Sequence, residues 1–350
     1  MDKFSLANFE NWLNNLLQAM PLVIDTSNIA VGQTPKEIIW TKNKAKLYYY
    51  PVPPDVTPYP VPLLIIYGLI NRPYILDLRP GTSLIEYLGK KGYRVYSLDW
   101  GNAGLEDRHM SLDDYILDYL PKAVKQTLQH SQAGKLSMFG YCMGGTLLAC
   151  YAALQSAFIK NLIMVATPID FSEPTLYHLW LDPQYFDLDL IVDSYGVIPP
   201  EMIDFGNKLL KPYTNFIANH FNFWQSLCNA EAKEAWFTLH KWVNDGVNFS
   251  GAAFKQWVRE FYQQNKLIKG EFCLRGQKVD LSHIKANLLN IIAARDHITL
   301  PSQSEPLMHL VQSHDKEQKI FPAGHVGLVV SRSTAEKFYQ AVDMWLCLRS

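Results

Sequence analysis

The chain has 350 residues, enough for one large α/β domain with an insertion or for two modest domains. It is 48% hydrophobic, so a full-sized core can be buried, and its 32 basic residues against 33 acidic ones lack the basic excess of a nucleic-acid binder. No apolar run reaches the roughly 18 residues of a membrane helix. Five cysteines are scattered without a CxxC pair, which speaks against a disulfide framework or zinc site and for a reducing cytoplasm.

The first twenty residues lack a basic start followed by an uninterrupted apolar core, so they read as an amphipathic helix, around Phe4 to Leu17, and not as a signal peptide. The run from Tyr48 to Pro62 carries six prolines and is expected to be an extended connection between strands. Alternating strand and helix signals follow. Pro62 to Gly68 is a continuous apolar run, as for a strand buried on both faces. "SLIEYLGKKG" has helical spacing and ends in Gly92, and Tyr93 to Trp100 is a second strand. Ser111 opens a helix with acids in its first turn, and Pro121 is placed to kink it. "KLSMFG" and Asn161 to Pro168 are two further strands.

The rhythm then stops. Residues 169–270 show no clear buried strand and hold twenty aromatics, among them Trp180, Trp224, Trp236, Trp242 and Trp257. They predict a mostly helical insertion. The strand signal resumes at Asn287 to Ala294 and Gln318 to Phe321, before a last helix from about Ser333 to Leu346. This order predicts an α/β fold with a mainly parallel sheet, helices on both faces, and the insertion above the carboxyl ends of the strands. The expected division is an N-terminal helical segment at 1–40, a core at 41–168 and 271–350, and a cap at 169–270.

Between a strand and a helix lies Gly140-Tyr141-Cys142-Met143-Gly144-Gly145. Small residues two before and two after a central nucleophile suit a tight strand-to-helix turn, where strand and helix pass very close. The helix N-terminus then points at Cys142 and favours a thiolate and a later oxyanion. The backbone N–H of Met143 is the first candidate oxyanion donor, and that of Leu69 or Ile70 the second. A cysteine nucleophile needs a base and the base an orienting acid. Asp296 follows a buried strand and His325 follows the next short strand, which gives the chain order nucleophile, acid, histidine. The bland alternatives are a buried apolar cysteine, an aspartate that caps the helix near Pro301, and a turn histidine. His297 is expected to point away from Cys142, Asp99 and Gly68 to serve turns, and Cys150, Cys228, Cys273 and Cys347 to be core.

These residues carry a family likeness. "YGLINRPYILDLRPGTSLIEYLGKKGYRVYSLDWG", "GYCMGGT", "KWVNDGVNFSGAAFKQWVREFYQQNKLIKGEF", "DHITLP" and "GHVGLVVS" together resemble the catalytic subunit of polyhydroxyalkanoate synthases, from about Tyr48 to the C-terminus. The resemblance implies an α/β-hydrolase core with a cap, and a cysteine lipase-like box on Cys142 with its acid on Asp296 and its histidine on His325. With about forty residues before the match, the chain resembles the short class III or class IV type, which works with a small accessory subunit; the sequence does not separate these two.

The resemblance further implies an acyltransferase acting on (R)-3-hydroxyacyl-CoA, commonly 3-hydroxybutyryl-CoA, with a growing polyester chain. No cofactor is expected, CoA being a released product. The implied setting is the cytoplasm at the polymer granule surface, with a homodimer among the assemblies it admits and no nucleic acid. Cys142 would take the acyl group as a thioester, which keeps the activation that an oxygen ester would discard. The hydroxyl of another unit would then attack, with His325 or Asp296 taking its proton. An aromatic cap would exclude water. Two rivals are a cysteine hydrolase of dienelactone-hydrolase type and a non-catalytic granule-associated scaffold. The separation of 154 positions from Cys142 to Asp296 (296 − 142) argues against the first, and the intact trio argues against the second.

Overall fold

The computed structural model describes residues 26–211 and 229–350. The amphipathic start at Phe4 to Leu17, Trp224 and Cys228 therefore lie outside the described residues.

Eight strands form one sheet: β1 (Glu37–Lys42), β2 (Ala45–Tyr50), β3 (Leu63–Ile66), β4 (Val95–Asp99), β5 (Leu136–Tyr141), β6 (Ile159–Val165), β7 (Asn287–Ala293) and β8 (Lys316–Phe321). Their spatial order is β1-β2-β4-β3-β5-β6-β7-β8. The run from β4 to β8 is parallel, and β2 is antiparallel to both β1 and β4. The edge strand begins at Glu37, inside the segment expected to be helical, so the sheet starts before residue 41. The part of Tyr48 to Pro62 that is extended connection begins only after Tyr50.

Strand β3 shows why the middle of the sheet is apolar throughout. Leu64 and Ile66 pack into the core on one face, Leu63 and Ile65 into the core on the other, and all four are fully buried. Each such side chain contributes roughly 1.5–3 kcal/mol of burial. Helix α1 (Leu84–Lys90) is capped by Ser83, whose hydroxyl accepts the Glu86 N–H at 2.9 Å. The helix opened by Ser111 is divided. A π-helical stretch, Asp114–Tyr119, leads into α2 (Leu120–Ser131), with Pro121 in the first turn of α2. Proline has no N–H for the ladder, so a change of winding at this point follows from its chemistry.

Helix α3 (Met143–Leu154) follows β5 directly. The insertion contributes α4 (Leu176–Trp180), α5 (Leu188–Tyr195), α6 (Pro200–Leu209), α7 (Ala230–Asn244) and α8 (Gly251–Gln256), the last continuing into π-helical Trp257–Gln263. Its described residues are mostly helical, yet Val197–Ile198 and Phe249–Ser250 pair as a two-residue antiparallel ribbon that the sequence pattern does not signal. Helix α9 (Ala335–Cys347) closes the chain against the second face of the sheet.

Two expectations about cysteine are corrected. Cys150 is buried, but Cys273, in a short hairpin, and Cys347, at the end of α9, are exposed.

Candidate active site

Cys142 occupies the turn between β5 and α3 with φ 53° and ψ −128°, a conformation that side chains other than glycine rarely take. Its N–H donates to Val165 O at 2.9 Å, and its carbonyl accepts the Gly145 N–H at 2.9 Å. The strained residue is thus held on both sides by the backbone. The glycines around it are required by close approach. A Cβ on Gly140 would lie 2.5 Å from Gly145 Cα, one on Gly144 would lie 2.6 Å from the Tyr67 carbonyl carbon, and one on Gly145 would lie 2.8 Å from Thr167 Cγ2. Helix α3 therefore starts almost in contact with the ends of β3 and β5, with Cys142 at its N-terminus.

Asp296 lies three residues beyond β7 and is almost fully buried. Its Oδ1 accepts the N–H groups of Ile298 (2.9 Å) and Thr299 (3.0 Å). Its Oδ2 accepts Nδ1–H of His325 at 2.6 Å. The carboxylate therefore orients the imidazole and organises its own loop at once, and it caps no helix at Pro301. His325 follows β8 and is buried. The Tyr141 hydroxyl donates to His325 O at 2.8 Å, and the Tyr141 ring meets the imidazole edge-on with centroids 5.2 Å apart. Burial disfavours a charged His325, but the Asp296 carboxylate and the Cys142 sulfur outweigh it and hold the imidazole well above its ordinary value. The three residues selected by chain order are thus brought together.

Cys142 and His325 open into a cavity of about 570 Å³ roofed by the insertion. Its apolar lining includes Trp180, Phe186, Phe254 and Trp257. Two cap phenols, Tyr177 and Tyr262, also line it, and burial pushes both far above the ordinary phenol value, so they stay neutral. His297, expected to point away, lines the same cavity because the loop coils around Asp296. Burial pushes its pKa down.

The oxyanion candidates separate. Met143 opens α3, where intrahelical bonding leaves its N–H over. The Leu69 N–H is directed to Met143 Sδ at 3.4 Å, and Leu69 is buried away from the cavity, whereas Ile70 lines it. The loop carrying Ile70 is fastened to the cap. Ile70 O accepts the Val247 N–H at 3.1 Å, Arg72 O accepts Trp242 Nε1–H at 2.8 Å, and the Tyr74 hydroxyl donates to Asp245 at 3.0 Å. Asp99 accepts the Gly101 N–H at 2.9 Å, the turn role expected of it. Among the residues that sequence reasoning misses, Thr299 is buried with Oγ1 4.0 Å from Cys142 Sγ.

A strained strand-to-helix turn carrying Cys142 after a central parallel strand, an acid and a histidine after later strands, and a helical insertion above them define a protein of the α/β-hydrolase fold. The family profile described as "alpha/beta hydrolase fold" matches residues 61–331. Among solved structures, a monoacylglycerol lipase from Paleococcus ferrophilus aligns with a TM-score of 0.55 over 88% of this chain and 100% of that one, at 18% identity.

Within that fold the chain belongs to the family of poly(3-hydroxyalkanoate) polymerase subunits PhaC. It is 36% identical to the PhaC subunit of Synechocystis sp. over 93% of this chain and 88% of that one. With the PhaC subunit of Allochromatium vinosum the identity is 34%, over 96% and 95%. It is 36% identical to that of Haloferax mediterranei over 93% of this chain, but spans only 66% of that longer one. The profile "Poly-beta-hydroxybutyrate polymerase (PhaC) N-terminus" matches residues 6–88, so the likeness begins well ahead of Tyr48.

Proposed function

We propose that this chain is a poly(3-hydroxyalkanoate) polymerase: an acyltransferase that moves the acyl group of (R)-3-hydroxyacyl-CoA onto Cys142 and from there onto a growing polyester. Family membership supports the reaction class. The observation that carries the mechanism is the buried Asp296–His325 pair beside a cysteine on a strained elbow, facing an apolar cavity.

In this reading His325 takes the proton of Cys142, and the thiolate attacks the thioester carbonyl. The N–H groups of Met143 and Ile70 hold the developing oxyanion. The tetrahedral intermediate collapses with loss of the CoA thiolate, which leaves protonated as CoA, the proton returning from His325. One thioester replaces another, so the acyl group stays activated. The hydroxyl of a second acyl unit or of the chain end then attacks the Cys142 thioester and releases the sulfur, extending the polyester by one ester bond.

His325 is the base for that hydroxyl as well. Both Asp296 oxygens are engaged, one by two N–H groups and one by His325, and the Asp296 side chain is fully buried, while His325 lines the cavity. Asp296 acts through the imidazole. The aromatic roof keeps water from the acyl-enzyme, which would otherwise yield free acid.

The proposal extends to a small accessory subunit and to a polymer granule surface, which the likeness to the short synthases implies. Among the described residues no helix is long and apolar enough to cross a membrane.

The test is to supply (R)-3-hydroxybutyryl-CoA to the full chain, alone and with an accessory subunit of a short synthase, and to measure CoA, free acid and insoluble polymer. CoA with polymer is the expected result. CoA with free acid and no polymer in both conditions would make the chain a thioester hydrolase.

A further inference from the structure

Thr299 carries a hydroxyl into the site, and nothing in its sequence setting marks it. Its position is fixed from both sides. Its N–H donates to Asp296 Oδ1, the carboxylate whose other oxygen orients His325. Immediately beyond, the Leu300 N–H donates to Gln303 Oε1 at 2.9 Å, and Gln303 O accepts the Ile169 and Asp170 N–H groups at 2.8 and 3.1 Å. The loop is therefore tied to its own carboxylate on one side and to the root of the cap on the other. Thr299 is 3% exposed, and a buried β-branched side chain has little rotamer freedom. Its Oγ1 lies 4.0 Å from Cys142 Sγ. A buried hydroxyl left without a partner is costly, and the sulfur is the partner the geometry offers.

We propose that the Thr299 hydroxyl donates a hydrogen bond to the Cys142 thiolate and so serves as a second side-chain support of the nucleophile, beside His325. An anion is a stronger acceptor than a thiol, so the contact favours the reactive form. No bond to carbon or sulfur forms or breaks in this step; the hydroxyl keeps its proton. Among the described residues, the titratable groups around the sulfur and its cavity are His325, with Asp296 behind it, His297 in the same loop, Tyr67 and Tyr141, Tyr177 and Tyr262 in the cap, and Asp204 and Lys208 in the cavity lining. Burial keeps these four phenols protonated.

The proposal rests on Cys142 being the nucleophile of the proposed reaction, but its test uses no acyl donor. Alkylation by iodoacetamide is followed against pH on the full chain. The Cys142 peptide is quantified by mass, so that the exposed Cys273 and Cys347 are scored separately. Thr299→Val keeps the shape and removes the donor, and Thr299→Ser keeps the donor. Thr299→Ala repeats the comparison should the valine variant differ from wild type in circular dichroism. The expected result is one midpoint for wild type and Thr299→Ser, and a midpoint higher by about half to one unit for the donor-less variants. Coincident midpoints for wild type and the donor-less variants would overturn the proposal. So would a Thr299→Ser shift as large as the Thr299→Val shift, because that would trace the effect to packing. A chain that makes no polymer still answers for Thr299, because the alkylation midpoint is read without acyl transfer.

Discussion

Asp296 Oδ2 accepts the His325 Nδ1 proton at 2.6 Å, with both side chains buried, and Asp296 Oδ1 accepts two backbone N–H groups. The carboxylate side chain is fully buried and does not line the cavity, so it is not placed to meet a substrate. Asp296→Asn is therefore expected to slow acylation of Cys142 and chain extension alike, by at least about a hundredfold each. Single-turnover CoA release and steady-state CoA release, measured on the same preparation, check this. A variant that acylates at the wild-type rate and stalls only in extension would give Asp296 a direct role with the hydroxyl.

The raised pKa of His325 has a consequence for stability. A histidine whose folded value lies above its unfolded one stabilises fully below the unfolded value of about 6.5, and that contribution is lost as pH rises through the folded value. The stability difference between wild type and His325→Gln should be largest below about pH 6.5 and narrow as the solution becomes alkaline. Urea midpoints across that range measure it, and a difference that widened with pH would contradict the assignment.

Gly144 passes so close to the end of β3 that a methyl group there would collide with the Ile66 and Tyr67 backbone. Gly144→Ala is expected to cost about 1–3 kcal/mol of stability through overpacking. It should also displace Cys142 enough to depress CoA release in whatever folded protein remains. Thermal unfolding and activity per folded molecule report the two effects separately.

Trp242 ties the cap to the loop that carries Ile70 by donating to Arg72 O at 2.8 Å. Trp242→Phe removes one hydrogen bond worth about 0.5–1.5 kcal/mol, which corresponds to roughly two- to tenfold in rate if the loop holds the oxyanion donor. The loss should fall on kcat more than on KM, since the oxyanion forms only in the transition state.

The site is legible in the sequence where chemistry imposes spacing. The glycines around Cys142 are demanded by backbone approach, and Asp296 and His325 announce themselves by following buried strands in the right order. The central strand β3 is legible because burial on both faces makes it continuously apolar, Leu63–Ile66, whereas the parallel edge strand β8 is mostly polar and shows only its last residues. What escapes lacks such a signature. Strand β1, with the sequence EIIWTK, shows no regular alternation and pairs with an irregular register at the edge of the sheet, and the cap ribbon is two residues long on each side. Cys273 and Cys347 resemble core residues in type and are exposed, and His297 reaches the cavity only because the Asp296 turn folds it inward. Thr299 and the choice between Leu69 and Ile70 depend on where a loop closes, which no local pattern encodes.

The most direct experiment is to mix the full chain with (R)-3-hydroxybutyryl-CoA, quench within one turnover, and map the acyl group by peptide mass, with Cys142→Ala beside it. A hydroxybutyryl increment on the peptide bearing Cys142, labile to hydroxylamine and missing from the variant, is the predicted result. An increment on any other residue, or one that persists in Cys142→Ala, would contradict the assignment of Cys142 as the residue that carries the growing polyester.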